Sequence, residues 1–145
     1  MALRFALYIL ETPAQVALVE DLQRLVWPGT ETEIVPLHLL ITAAHNGGLL
    51  IGAFAIDAYT ALDTNAAKAS SAVDESGFAT PEPPASATLA GFVFGFPGLY
   101  DTPDGPRLKH CSHMLGVHPA FRDQGLGFKL KRAQWQMVRR QGIDR

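Results

Sequence analysis

Apolar positions along this chain change their spacing several times, and each change marks an element. Leu3 to Leu10 is a nearly unbroken apolar run of strand length. Thr12-Pro13 then offers an N-cap hydroxyl followed by proline at the first helical position. Val16, Val19, Leu22 and Val26 follow as the buried stripe of a helix, with Glu20, Asp21, Gln23 and Arg24 mostly outside it. Trp27-Pro28-Gly29 ends that helix. A second helix is predicted from about Pro36 to His45, stopped by Asn46-Gly47-Gly48. Leu49 to Asp57 is a continuous apolar run with glycine at 52, suited to a strand covered on both faces. Thr88 to Phe96 resumes the strand pattern, and Lys109 to Val117 forms a further strand. Between them Pro97-Gly98 and Pro103-Asp104-Gly105-Pro106 punctuate a turn region. Finally Leu126, Leu130, Ala133 and Met137 define one apolar face of a closing helix.

Composition alters this picture in one place. Ala58 to Ala87 is rich in Ala, Ser, Thr, Asp and Pro, with Pro81-Glu82-Pro83-Pro84 near its end. Few large apolar groups are available there to offset the ordering entropy, which predicts a long, mobile insertion between two strands. Elsewhere, 145 residues with 48% hydrophobic residues predict one domain large enough to bury a core. A net charge of −2 argues against a general nucleic-acid binder, whose footprint would be strongly basic. No apolar run is long enough to span a bilayer. The opening run carries a single basic residue, Arg4, and Glu11 stands where a leader would need small residues, so it reads as a strand. The lone Cys111 excludes an internal disulfide and suits a reducing compartment, so a cytoplasmic protein is expected.

The chemistry concentrates in Leu115-Gly116-Val117-His118-Pro119-Ala120-Phe121-Arg122-Asp123-Gln124-Gly125-Leu126-Gly127 and the helix that follows. A helix entered through Gly-x-Gly exposes free backbone N–H groups, with no Cβ to hold a ligand off and the positive end of the dipole facing it. Lys129, Lys131, Arg132, Arg139 and Arg140 occupy much of the remaining helix surface. Such a turn is an anion cradle, and a diphosphate is its natural guest. Arg122 adds a charge-assisted contact to the same phosphates. A dinucleotide fingerprint does not fit, because Leu130 stands at the third glycine position. Neither a Walker A pattern nor a Gly-x-Ser-x-Gly elbow occurs.

Arg122-x-x-Gly125-x-Gly127 directly after a strand ending in Val117-His118-Pro119 resembles the coenzyme A-binding motif of the GNAT superfamily of acyl-CoA-dependent N-acyltransferases. The order strand, helix, helix, strand, strand, strand, helix is similar to the front of that fold. The resemblance implies an α/β domain, β-α-α-β-β-β-α, with a mostly antiparallel mixed sheet and flanking helices. It implies acetyl-CoA or another acyl-CoA as co-substrate and an amine as acceptor, attacked in a ternary complex without an acyl-enzyme. Backbone groups of Leu115, Gly116 and Val117 would then hold the pantetheine arm, and the turn of Arg122, Asp123, Gln124, Gly125, Leu126, Gly127 and Phe128 would hold the diphosphate. Gly116 is suited to a β-bulge that splays the strand.

Period-two alternation places Cys111, His113, Leu115 and Val117 on one face and His110, Ser112 and Met114 on the other. Some members of the family, the serotonin N-acetyltransferases among them, carry histidines on this strand that handle the amine's proton. His113 matches one such position and Cys111 occupies the other. The residue-level alternative is an imidazole packed against a helix, and Cys111 reads as a small filler. Alternation divides His110, Cys111, His113 and His118 between faces, so no zinc site is expected. His38 and His45, two turns apart, are either rim residues near a substrate or ordinary surface histidines. The family's thiolate acid is often a tyrosine on a later helix, which Tyr8, Tyr59 and Tyr100 do not match. Members continue past the motif helix with another strand, a helix and closing strands, whereas this sequence stops at Gly142-Ile143-Asp144-Arg145. The expectation is therefore a C-terminally incomplete domain, with an open sheet edge that favours self-association or a companion chain. Two non-enzymes stay open: a CoA-binding module without turnover, and an interaction domain with an architectural glycine turn.

Overall fold

The computed structural model describes residues 3–29, 31–56 and 82–145. Its elements are β1 (Arg4–Ile9), α1 (Pro13–Val26), α2 (Leu37–Ala44), β2 (Leu49–Ile56), β3 (Thr88–Thr102), β4 (Gly105–Val117) and α3 (Leu126–Arg140). Short 3-10 turns lie before α2, at Glu31–Glu33, and before α3, at Pro119–Phe121. The four strands lie side by side in the order β1-β2-β3-β4, with every pairing antiparallel. The element order is the one the hydrophobic pattern predicts.

α1 starts where the sequence says it must. Thr12 Oγ1 accepts the Gln15 N–H, and the Gln15 side chain returns a hydrogen bond to the Thr12 N–H, a reciprocal capping box. Val16, Val19 and Leu22 bury against the sheet with Tyr8, Leu10, Phe54 and Phe92, and α2 adds Leu40 to the same cluster. α3 covers the opposite face, where Leu126, Leu130, Ala133 and Met137 pack on Ile51, Ala53 and Val93. β2 and the first half of β3 therefore carry apolar side chains on both faces, which explains their unbroken apolar runs.

Gln23 departs from its expected place outside the α1 stripe: it is 1% exposed. Its side chain donates to the Val35 carbonyl at 2.9 Å and accepts the Val35 N–H at 2.8 Å. Both ends of the amide are satisfied, so a polar residue is tolerated inside. Glu20 assists by accepting the Leu37 N–H at 2.7 Å while paired with Arg24, and these bonds hold its carboxyl below the usual range.

The expected turn region between residues 96 and 109 is instead the continuation of a hairpin. β3 runs to Thr102 and β4 begins at Gly105, with Thr102 opposite Gly105. Thr102 Oγ1 donates to the Gly105 carbonyl and accepts the Asp104 N–H, while Gly105 takes φ +104. Pro97 does not interrupt the ladder because β2 ends at Leu49, opposite Gly95. The Ala90 carbonyl faces β4, where it accepts the His118 N–H. Seven residues later the alternation turns the Pro97 nitrogen to the side that β2 has left open, where no N–H is needed. The predicted insertion over Ala58 to Ala87 lies mostly outside the described residues. Its last part, Glu82–Ala87, is coil and turn, and Ala87 packs against the α1–α2 core.

Candidate active site

The register of the hairpin slips by one residue at the place that matters most. Phe94 opposes Met114 and Gly95 opposes Ser112, which leaves His113 as an extra residue in β4. The bulge expected at Gly116 is thus at His113, and it overturns the expected alternation. His113 packs edge-on against Phe94 and at a tilt against Phe96, and Met114 packs into the α1–α2 core. Cys111, opposite Phe96, shares that face. Leu115 and Val117 lie on the α3 face instead, as do Ser112 and His110, whose side chains meet Gln134. The β-branched and aliphatic residues at 115 and 117 are drawn there by Leu126 and Leu130; one inserted residue satisfies both cores.

The bulge also sets which backbone groups reach the free edge of β4. His118 donates its N–H inward to Ala90, so Gly116, opposite Phe92, also points inward. The N–H and C=O groups of Val117 and Leu115 therefore face outward. His110, beyond the bulge, likewise points outward and donates to the Arg145 carbonyl at 2.7 Å. Of the three residues predicted to offer backbone groups to a pantetheine arm, Leu115 and Val117 present them. Gly116 serves differently: a Cβ there would lie 2.9 Å from Phe92 Cε1 and 3.3 Å from Trp27 Cη2, so its missing side chain lets Trp27 close over the sheet.

The glycine turn is built as the sequence predicts. His118 Nδ1 accepts the Ala120 N–H and caps the 3-10 turn, while Phe121 packs edge-on against Phe5. Asp123 takes φ 64 and Gly125 φ 74, both left-handed, so the chain reverses twice before α3. Gly125 is the N-cap of α3 and supplies no side-chain hydrogen bond, leaving the first-turn N–H groups of Leu126, Gly127 and Phe128 uncapped. Leu126 is buried and fixes the helix start, whereas Arg122, Asp123, Gln124, Gly125 and Phe128 are exposed. Arg122 has no ion-pair partner among the described residues. A Cβ at Gly127 would stand 3.8 Å from Leu115 Cδ2, in the crevice between the helix start and the β4 edge. The glycine turn therefore lies beside β4, with Leu115 the side chain nearest to a Cβ placed at Gly127.

On the α2 side of the sheet, His113 opens into a cavity of about 490 Å³. Its walls are Leu39 and Ala43 of α2, Phe94, Phe96 and Pro97 of β3, and Val35, which Gln23 clamps in place. Thr42 and Asn46 complete the rim. His38 and His45 do not line it; His38 is exposed, and His45 Nε2 pairs with the Glu11 carbonyl. Sequence reading missed this cavity, although Phe92-x-Phe94-x-Phe96 is a legible signal: alternation stacks three rings on one face.

A second cavity, about 660 Å³, lies at the far end of α3 between His110, Gln134, Trp135 and Arg145. Gln134 Nε2 lies 3.0 Å from His110 Nε2, and Gln134 Oε1 receives Ser112 and Lys131. His110 Nδ1 is buried without a partner among the described residues. Burial, and then the Lys131 cation, hold His110 below its ordinary pKa and favour its neutral form. Tyr8 is 1% exposed, its hydroxyl without a partner among the described residues, and burial pushes its pKa up; it lies in the α1–α2 core. Tyr100 lies under the Arg145 guanidinium. No described helix is long and apolar enough to cross a membrane.

No protein-family model and no curated protein matches the sequence. Solved structures do match the fold. An acetyltransferase of Trypanosoma brucei superposes over 97% of this chain and 79% of its own, with a TM-score of 0.60 at 13% identity. The GCN5-related glucosamine N-acetyltransferase region of a fungal multi-domain GH3 β-N-acetylglucosaminidase covers 99% of this chain and 13% of its own, with a TM-score of 0.57 at 13% identity. The chain has the fold of the GNAT superfamily. At that identity the likeness is one of architecture.

Proposed function

We propose that this protein transfers an acyl group from acyl-CoA to an amine. The observation that supports the reading is a juxtaposition: the α3 first turn, with no side-chain cap, stands beside the outward backbone of Leu115 and Val117, and His113 lies on the other face of the same strand. The Gln124 to Phe128 turn would bind the diphosphate, with Arg122 adding charge. Leu115 and Val117 would pair with the pantetheine amides, and an outward N–H would stabilise the oxyanion as it forms. The amine nitrogen attacks the thioester carbonyl carbon; the N–C bond forms and the C–S bond breaks. The ammonium gives one proton to the His113 imidazole before attack; the adduct nitrogen then sheds a second proton, which balances the one the departing sulfur takes as it leaves as free CoA thiol.

The test is calorimetric titration with CoA together with thiol release from acetyl-CoA across a panel of amines. His113→Gln should lower kcat by about 100-fold, the low end for a lost general base, while CoA affinity stays within twofold. An unchanged kcat in that variant removes His113 from the reaction. CoA binding without thiol release from any amine points to a binding module instead.

A further inference from the structure

Resting on the acyl-transfer reading, we infer that the acceptor is a primary amine borne on an aromatic or aliphatic group with no second charge, bound in the α2-side cavity. Three observations converge on that chemistry. The walls contributed by Leu39, Phe94, Phe96 and Pro97 are apolar, and no Asp, Glu, Lys or Arg lines the cavity among the described residues. Its two neutral polar residues are tied to α2: Thr42 Oγ1 donates its one O–H to the His38 carbonyl and Asn46 Nδ2 donates one of its two N–H groups to the Thr42 carbonyl, both at 2.7 Å. The titratable group left on the wall is His113, its ring centroid 6.2 Å from Phe94 and 6.0 Å from Phe96.

This arrangement fixes the pose as well as the class. The amine nitrogen must approach the imidazole to lose its proton, so the rest of the molecule lies against the phenyl rings and the Leu39 rim. A ring there gains apolar burial and edge contacts with Phe94 and Phe96. A polyamine would instead bring a second ammonium into a wall with no carboxylate to receive it, and the desolvated charge would be unpaired. A cavity of about 490 Å³ suits a small molecule of one ring and a short side chain better than a peptide.

The experiment compares 2-phenylethylamine with spermidine in two independent measurements on the whole protein. Thiol release at saturating acetyl-CoA gives kcat/KM for each amine, and calorimetry without acetyl-CoA gives each amine's binding. The expected result is saturable binding of 2-phenylethylamine and a kcat/KM at least tenfold above that of spermidine. Leu39→Glu places a carboxylate on the rim at a residue 52% exposed, so folding is preserved, and should shift the ratio toward spermidine at least threefold. Spermidine bound as tightly as 2-phenylethylamine, or a ratio unmoved by Leu39→Glu, overturns the assignment. Saturable 2-phenylethylamine binding with no thiol release refutes acyl transfer and still supports the ligand class of the cavity.

Discussion

Gly127→Val isolates the cradle from the fold. Gly127 is the second residue of α3, and its φ lies outside the left-handed region. Among the described residues, a Cβ there meets Leu115 Cδ2 at 3.8 Å, an ordinary contact. Replacing a helical glycine by valine gains about 0.4 kcal/mol in propensity, so stability should hold or rise slightly. At a few degrees per kcal/mol, the melting temperature should move by about 2 °C. The valine methyls, however, would occupy the crevice between the first turn and Leu115. Displacing the diphosphate from one charged hydrogen bond costs about 1.5–3 kcal/mol, or about 10- to 100-fold in CoA affinity. Titration calorimetry with CoA, paired with a thermal melt, measures both quantities, and Gly127→Ala should fall between parent and valine variant. Gly125 is a poorer probe, because its φ of +74 adds about 1–2 kcal/mol of backbone strain to any substitution. A folded Gly127→Val protein that binds CoA within twofold of the parent would refute the cradle.

Two further outcomes follow from buried polar groups. Gln23→Leu leaves the Val35 N–H and C=O without their partner and should lower stability by about 1–3 kcal/mol in urea denaturation, while raising KM for the acceptor because Val35 walls the cavity. His110 has a folded pKa depressed by burial and by Lys131, so the unfolded chain binds its proton more readily than the folded one. Stability is therefore full above the unfolded value near 6.5 and declines as pH falls from there through the lower folded value; His110→Gln should flatten that limb of a melting-temperature profile.

What could be read in advance was local. The Thr12-Pro13 cap, the α3 stripe and the glycine turn each follow from neighbours in sequence, and each stands as expected. Gln23 was misplaced because its partner, Val35, is twelve residues away and supplies backbone rather than a patterned side chain. Pro97 was read as a stop because its meaning depends on where β2 ends, a fact of the neighbouring strand. The slip at His113 is of the same kind. Nothing within residues 109–117 signals it; the signal is the competition between Phe94–Phe96 on one face and Leu126–Leu130 on the other for the right side chains of β4.

That slip makes β4 a strand with a phase defect, and deletion is then a different perturbation from substitution. A side-chain change at His113 leaves the count of residues intact, and both halves of the strand keep their faces. Removing the residue altogether would join the halves in phase: Ser112, opposite Gly95, would run directly into Met114, opposite Phe94, and both halves would keep their faces. Deleting Cys111 instead would close the same gap only by turning Ser112 onto the phenyl rings and His113 toward α3, stripping Gln134 of its Ser112 partner. A scan of single-residue deletions along β4 would read out this defect directly, with His113 the position at which losing a residue disturbs the two faces least.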